Sequence, residues 1–133
     1  MSTPPLDRVQ LALHVPDLTE AIAFYRDLFA TEPHKVRPGY ANFSITRPPL
    51  KLALLEDPSR AGGLDHLGVE RSSTEAVEAE ARRLEASGHV LRREDGTVCC
   101  HARQDKHWIT DPGSLEWENY VVTDDAPEAS AAP

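Results

Sequence analysis

The hydrophobic pattern changes period within the first thirty residues. In "VQLALHVPDLTEAIAFYRDLF", Leu11, Leu13 and Val15 alternate with Gln10, Ala12 and His14, which is the two-residue period of a half-buried strand. After Pro16 the spacing lengthens, and Leu18, Ala21, Ile22, Tyr25, Leu28 and Phe29 form one helical stripe. Asp17 is the expected N-cap, with Glu20 three residues on. The same order returns in "DHLGVERSSTEAVEAEARRLEASGH". Leu67 and Val69 alternate with His66, Gly68 and Glu70, Ser72 and Glu75 suggest a capping box, and Glu78 and Arg82 are spaced to pair. Gly88 ends this second helix, whose apolar stripe is thin.

Short strand patterns follow each helix. "YANFSI" and "LKLALLE" follow the first; "HVLRRE", "TVCCH", "HWIT" and "EWENYVV" follow the second. "RPG" and "DPG" supply turns. The expected fold class is therefore α+β, with two βαβββ modules at residues 8–57 and 64–123 in one domain, 8–123. Residues 1–7 and 124–133 read as disordered ends. One face of each half-sheet takes its helix. The remaining faces are expected to line a cup-shaped mixed β-sheet. By strand parity Gln10, Ala12 and His14, then His66, Gly68 and Glu70, then Glu116, Glu118 and Tyr120 face this cup. An amide, an imidazole and a carboxylate are a workable donor set for a divalent first-row metal. Parity alone leaves His14 and Glu116 as candidates beside Gln10 and Glu118.

Composition narrows the setting. The chain has 133 residues, 40% hydrophobic and 27% charged, which suits a globular domain. A net charge of −8 disfavours nucleic acid and anionic membranes as partners. No long apolar run or leader pattern is evident, so a cytoplasmic location is expected. The two cysteines, Cys99 and Cys100, are neighbours in "TVCCHARQDKHW". A disulfide between neighbours closes almost no loop and adds little stability, so a reduced dithiol fits better. Gly96 upstream makes an irregular strand or loop plausible there. Arg103, Lys106 and the nearby histidines would favour thiolate over thiol.

The stretches "VQLALHVPDL", "PGYANFSITRPPLKLALLE", "LDHLGVE", "VCCHARQDKHW" and "DPGSLEWENY" resemble the vicinal oxygen chelate superfamily of glyoxalases, bleomycin-resistance proteins and extradiol dioxygenases. Within it they are most similar to the carbon–arsenic lyases and the cadmium-induced proteins. Gln10 together with adjacent cysteines is the specific part of the match. The resemblance implies the vicinal oxygen chelate fold and an Fe(II)-dependent dioxygenase that cleaves the carbon–arsenic bond of trivalent organoarsenicals. It implies Gln10, His66 and Glu118 as the metal ligands, and Cys99 with Cys100, on a mobile loop, as the arsenic-binding pair. Lys106 matches the family's "QDK" and is expected near the loop hinge or mouth, as a substrate-binding residue beside Tyr40. Asn42, Ser44, Glu70 and Tyr120 are further expected to line the pocket; no catalytic residue is expected beyond the metal centre. His107 and Asn119 depart from the family's usual residues.

Other readings stay open at this level. The dithiol could sequester cadmium or arsenite without catalysis. A metal-dependent reaction of glyoxalase type would leave the cysteines without a task. The superfamily builds its sites from one chain or from two, and a homodimer is expected. His14 reads as a polar residue near a strand end, and His34, His89 and His101 as surface residues.

Overall fold

A computed structural model describes residues 7–99 and 101–125. The expected disordered ends, apart from Asp7, Asp124 and Asp125, lie outside the described residues, as does Cys100. The chain divides into two compact units, Arg8–Leu67 and Gly68 onward, the latter joined by Asp7.

The first unit contains β1 (Arg8–Val15), α1 (Leu18–Phe29), β2 (Lys35–Arg37), β3 (Tyr40–Ile45), β4 (Leu50–Glu56) and the start of β5 (Leu64–Glu70). β2, β3 and β4 pair antiparallel, and β4 pairs parallel with β1. Short β2 carries no apolar alternation in sequence, so only its pairing to β3 reveals it. Register brings Leu11 opposite Leu52 and Leu52 opposite Phe43, while Leu13, Leu54 and Ala41 form the next row. These rows and α1 make an apolar core in which Phe43, Ile45 and Leu54 are fully buried. Burying each such side chain contributes about 1.5–3 kcal/mol. Asp17 caps α1 as expected, accepting from the Glu20 N–H at 2.9 Å. Glu56 accepts from the Leu18 N–H at 2.9 Å, which ties the helix start to the end of β4. Leu18, Ala21, Ile22, Tyr25 and Phe29 pack on the core, but Leu28 is 57% exposed. At about 100° per residue Leu28 falls roughly 80° off the centre of the stripe, at its edge.

The second unit holds the end of β5, α2 (Thr74–Ala86), β6 (Arg92–Cys99), β7 (Ala102–Thr110) and β8 (Glu116–Asp124). β6, β7 and β8 are antiparallel, and the hydrogen-bonded strand order is β2-β3-β4-β1-β5-β8-β7-β6. The result is a mixed α+β fold with an eight-stranded sheet and two helices. The N-cap of α2 is Ser73, not Ser72: its hydroxyl accepts from the Ala76 N–H at 3.0 Å. "SSTE" offers two serines, and the extended backbone at Ser73 decides between them. Gly88 follows the helix with φ 96°, as its C-terminal position expects.

"HVLRRE" and "TVCCH" are not separate strands. Arg92–Glu94 of the first and Thr97–Cys99 of the second lie in β6, whose register slips between Glu94 and Thr97, while His89, Val90 and Leu91 precede the strand. Gly96 takes φ 64° in this bulge, and its N–H donates to Asp105 Oδ1 at 2.7 Å. "ARQDK" is strand rather than loop. Ala102, Gln104 and Lys106 are buried while Arg103 and Asp105 are less so, a two-residue period hidden from hydropathy because two of its buried members are polar. Cys99 closes β6 opposite Ala102, and His101 beside the turn has φ 66°. No helix among the described residues is long and apolar enough to cross a membrane.

Candidate functional site

In the first unit, Gln10 on β1 and His66 on β5 meet. Gln10 Nε2 lies 3.3 Å from His66 Nε2. The other ring nitrogen, His66 Nδ1, lies 3.1 Å from Asp65 Oδ2. Asp65 Oδ1 in turn lies 3.4 Å from Nε2 of His14, whose side chain is 7% exposed. Backbone bonds hold this corner: the His14 N–H donates to Gly63 O at 2.9 Å, and the Gly62 N–H donates to His14 O at 3.0 Å. β1 and the approach to β5 are thereby laced together beside Asp65. His14 is thus more than a polar strand end; it is buried against a carboxylate. On β3, the Asn42 amide donates to the Tyr40 hydroxyl at 2.9 Å, and both side chains are buried.

In the second unit, Glu118 is 3% exposed and accepts from Lys106 Nζ at 2.7 Å. Lys106 is therefore neither at a loop hinge nor at a mouth. It sits mid-strand on β7, 2% exposed, because its charge is neutralised by the Glu118 carboxylate diagonally across on β8, where Glu118 is the register partner of Trp108. Its ammonium also lies 5.4 Å from the centre of the Trp108 ring, as does the Arg92 guanidinium. Gly68 makes room for the pair: a Cβ there would lie 2.8 Å from Glu118 Cγ and 3.1 Å from Glu118 O. Glu116, the alternative carboxylate, is 44% exposed and 3.9 Å from Arg92, so its reading as a solvated strand end agrees with its surroundings.

A second polar cluster lies beside α2. The Arg71 Nε–H donates to Asn119 Oδ1 at 2.9 Å, and Asn119 Nδ2 lies 3.1 Å from His107 Nε2. Because Oδ1 already accepts, Nδ2 is the donor and His107 Nε2 the acceptor. Burial holds the His107 imidazole below its ordinary pKa, and the Arg93 and Arg71 charges push the same way. His107 and Asn119, the positions that depart from the resembled pattern, are register partners on β7 and β8. Each departure supplies the other's hydrogen-bond partner.

A family profile described as the glyoxalase/bleomycin resistance protein/dioxygenase superfamily matches residues 7–119. The chain belongs to this superfamily. It is 53% identical over 128 residues to the cadmium-induced protein CadI of Mycobacterium tuberculosis, covering 96% of this chain and 84% of that one. It is 56% identical over 122 residues to the trivalent organoarsenical cleaving enzyme of Thermomonospora curvata, covering 91% and 81%. Solved structures give the fold. The 2,3-dioxygenase LapB of Pseudomonas sp. KL28 aligns with a TM-score of 0.65 at 18% identity, over 90% of this chain and 42% of that one. The Mn(II)-bound glyoxalase of Novosphingobium aromaticivorans aligns with 0.61 at 22% identity, over 92% and 42%.

Among the described residues no three His, Cys, Asp or Glu side chains gather in the manner of a metal site. A set of Gln10, His66 and Glu118 would contribute only two members of those types. The donor chemistry nonetheless suits a divalent ion of the kind superfamily members carry. Gln10 and His66 already meet through side-chain polar atoms, and Glu118 is a buried carboxylate cradled by a glycine. Sequence reading missed Asp65, because strict strand alternation sends neighbouring side chains to opposite faces, yet Asp65 turns back onto His66. It also missed the clearance role of Gly68, for which a glycine two residues after a candidate ligand histidine was the available signal.

Proposed function

We propose that this chain is a ferrous-iron-dependent enzyme that uses dioxygen to cleave the carbon–arsenic bond of trivalent organoarsenicals. The observation that carries this reading is the 3.3 Å meeting of the Gln10 amide with the His66 imidazole. It occurs in a chain with adjacent cysteines that is 56% identical to an enzyme named for that cleavage. Gln10, His66 and Glu118 would hold the metal. When bound, ferrous iron supplies the one-electron chemistry with dioxygen that a redox-inert ion lacks.

The remaining work falls to the chain. Cys99 and Cys100 exchange their thiols for two hydroxyl groups on arsenic, releasing two waters and leaving the organic substituent in place. Adjacent thiols make the second exchange nearly intramolecular. Lys106 holds Glu118 in place and offsets its charge in the metal-free protein. Tyr40 contributes to substrate binding, its hydroxyl fixed by Asn42. The protein acts in the reducing cytoplasm as a homodimer.

Oxygen uptake and arsenic speciation on Fe(II)-loaded protein given methylarsenite test the reading. Wild type should consume oxygen and release arsenite. Cys99→Ser and Cys100→Ser should abolish turnover and retain iron, whereas His66→Ala and Glu118→Ala should lose iron and retain thiol capture. Normal turnover by the double cysteine variant would sink the capture step. A second reading, thiol sequestration of cadmium or arsenite without catalysis, draws support from the 53% identity to a cadmium-induced protein. Tight stoichiometric metalloid binding with no oxygen uptake would favour it.

A further inference from the structure

We infer that Asp65 is a positioning residue for His66. Its carboxylate selects the imidazole tautomer whose Nε2 lone pair is presented to the candidate metal. The inference rests on the reading of His66 as a metal ligand. A carboxylate only accepts hydrogen bonds, so Asp65 Oδ2 at 3.1 Å requires the proton on His66 Nδ1. Nε2 then carries the lone pair. Gln10 Nε2, at 3.3 Å, is an amide donor and meets that lone pair correctly. The two hydrogen bonds, on opposite sides of the ring, agree on one tautomer. In the metal-free protein the Gln10 amide N–H occupies the lone pair; rotation of the same amide would turn its oxygen, a metal donor, toward the position Nε2 addresses.

Asp65 also faces a second imidazole. Its second oxygen lies 3.4 Å from the ring of buried His14, whose backbone is pinned to Gly62 and Gly63 just ahead of β5. One carboxylate therefore stands between two imidazoles, one oxygen toward each. Outer carboxylates of this kind fix the ring of a metal-binding histidine and raise its basicity. Their removal characteristically weakens metal binding about 10- to 100-fold.

The experiment compares wild type, Asp65→Ala and Asp65→Asn. Nitrogen-15 NMR of the metal-free proteins reads the protonation of each His66 ring nitrogen. Competition with a chelator reads Fe(II) affinity. Wild type should show a protonated Nδ1 and an unprotonated Nε2. Asp65→Ala should mix in the opposite tautomer and bind Fe(II) about 10- to 100-fold more weakly. Asp65→Asn, whose amide oxygen still accepts from Nδ1, should restore most of both and keeps the test open should the alanine variant fold poorly. A wild-type Nε2 that carries the proton, or an alanine variant with an unchanged tautomer and Fe(II) affinity within about twofold of wild type, overturns the inference. Should wild type bind no Fe(II), the enzyme reading falls while the tautomer measurement still decides this one.

Discussion

The two βαβββ units share a plan and differ in what they bury. In the first, α1 closes on a sheet face of leucine, isoleucine, phenylalanine and valine, and the shared layer is apolar throughout. In the second, α2 buries only Val77 and Ala81. Its sheet instead buries Gln104, Lys106, His107, Glu118 and Asn119. Ion pairs and hydrogen bonds take the place of packing: Thr74 donates to Asp105, Arg71 to Asn119, and Arg93 reaches both Glu78 and Glu85. The glutamates hold the Arg93 guanidinium above its ordinary pKa. Duplicated topology thus does not require a duplicated core. Apolar burial between helix and sheet dominates the first half, although His14, Lys35 and Asn42 are buried there too, whereas in the second half buried polar side chains pair across β7 and β8.

That contrast can be broken at either end. Phe43→Ala should cost about 3–5 kcal/mol, the transfer loss plus a cavity, read as a drop in urea midpoint with unchanged pH dependence. Lys106→Met should cost a comparable ~3–5 kcal/mol for a different reason, the loss of the ammonium that neutralises buried Glu118. Adding Glu118→Gln should recover much of it. No recovery in the double variant would mean that packing, not charge, explains the loss. Asn119→Ala should cost about 1–3 kcal/mol by removing the link between Arg71 and His107.

The pH dependence sharpens the comparison further. His107 is held below its ordinary value in the folded state, so as pH falls through about 6.5 the unfolded chain takes up the proton first. Stability associated with His107 should be fully present above that pH and decline as pH falls toward the lowered native value. Urea titrations from pH 7 to 5 should show this slope in wild type and a shallower one in His107→Gln. At the small end, Arg82→Ala breaks the exposed pair with Glu78 and should leave the melting temperature unchanged.

The sequence carried the plan of the first unit well because its chemistry is repetitive. Alternating Leu11, Leu13 and Val15 and the stripe from Leu18 to Phe29 announce a strand and a helix by hydropathy alone. The second unit was harder. In "ARQDK" the buried positions are occupied by lysine and glutamine, so the strand period was present but written in residues that hydropathy counts as exposed. The same blindness put Lys106 at a loop, although it is among the most buried side chains described. Parity placed Gln10 and His66 among several candidates, the family resemblance singled them out, and their side chains meet.

By itself the sequence determined the two-module order, the α1 cap at Asp17 and the apolar core of the first unit, because these depend on local periodicity and residue type; the family came from the resemblance of whole motifs such as "VCCHARQDKHW". Tertiary structure alone decided that Lys106 neutralises Glu118, that Gly68 yields the space Glu118 fills, that Asn119 donates to His107 Nε2, and that Asp65 lies between His14 and His66. Those pairings are set by strand register and by the desolvation of polar groups that must then find partners, and neither is written in the spacing of residues along one strand.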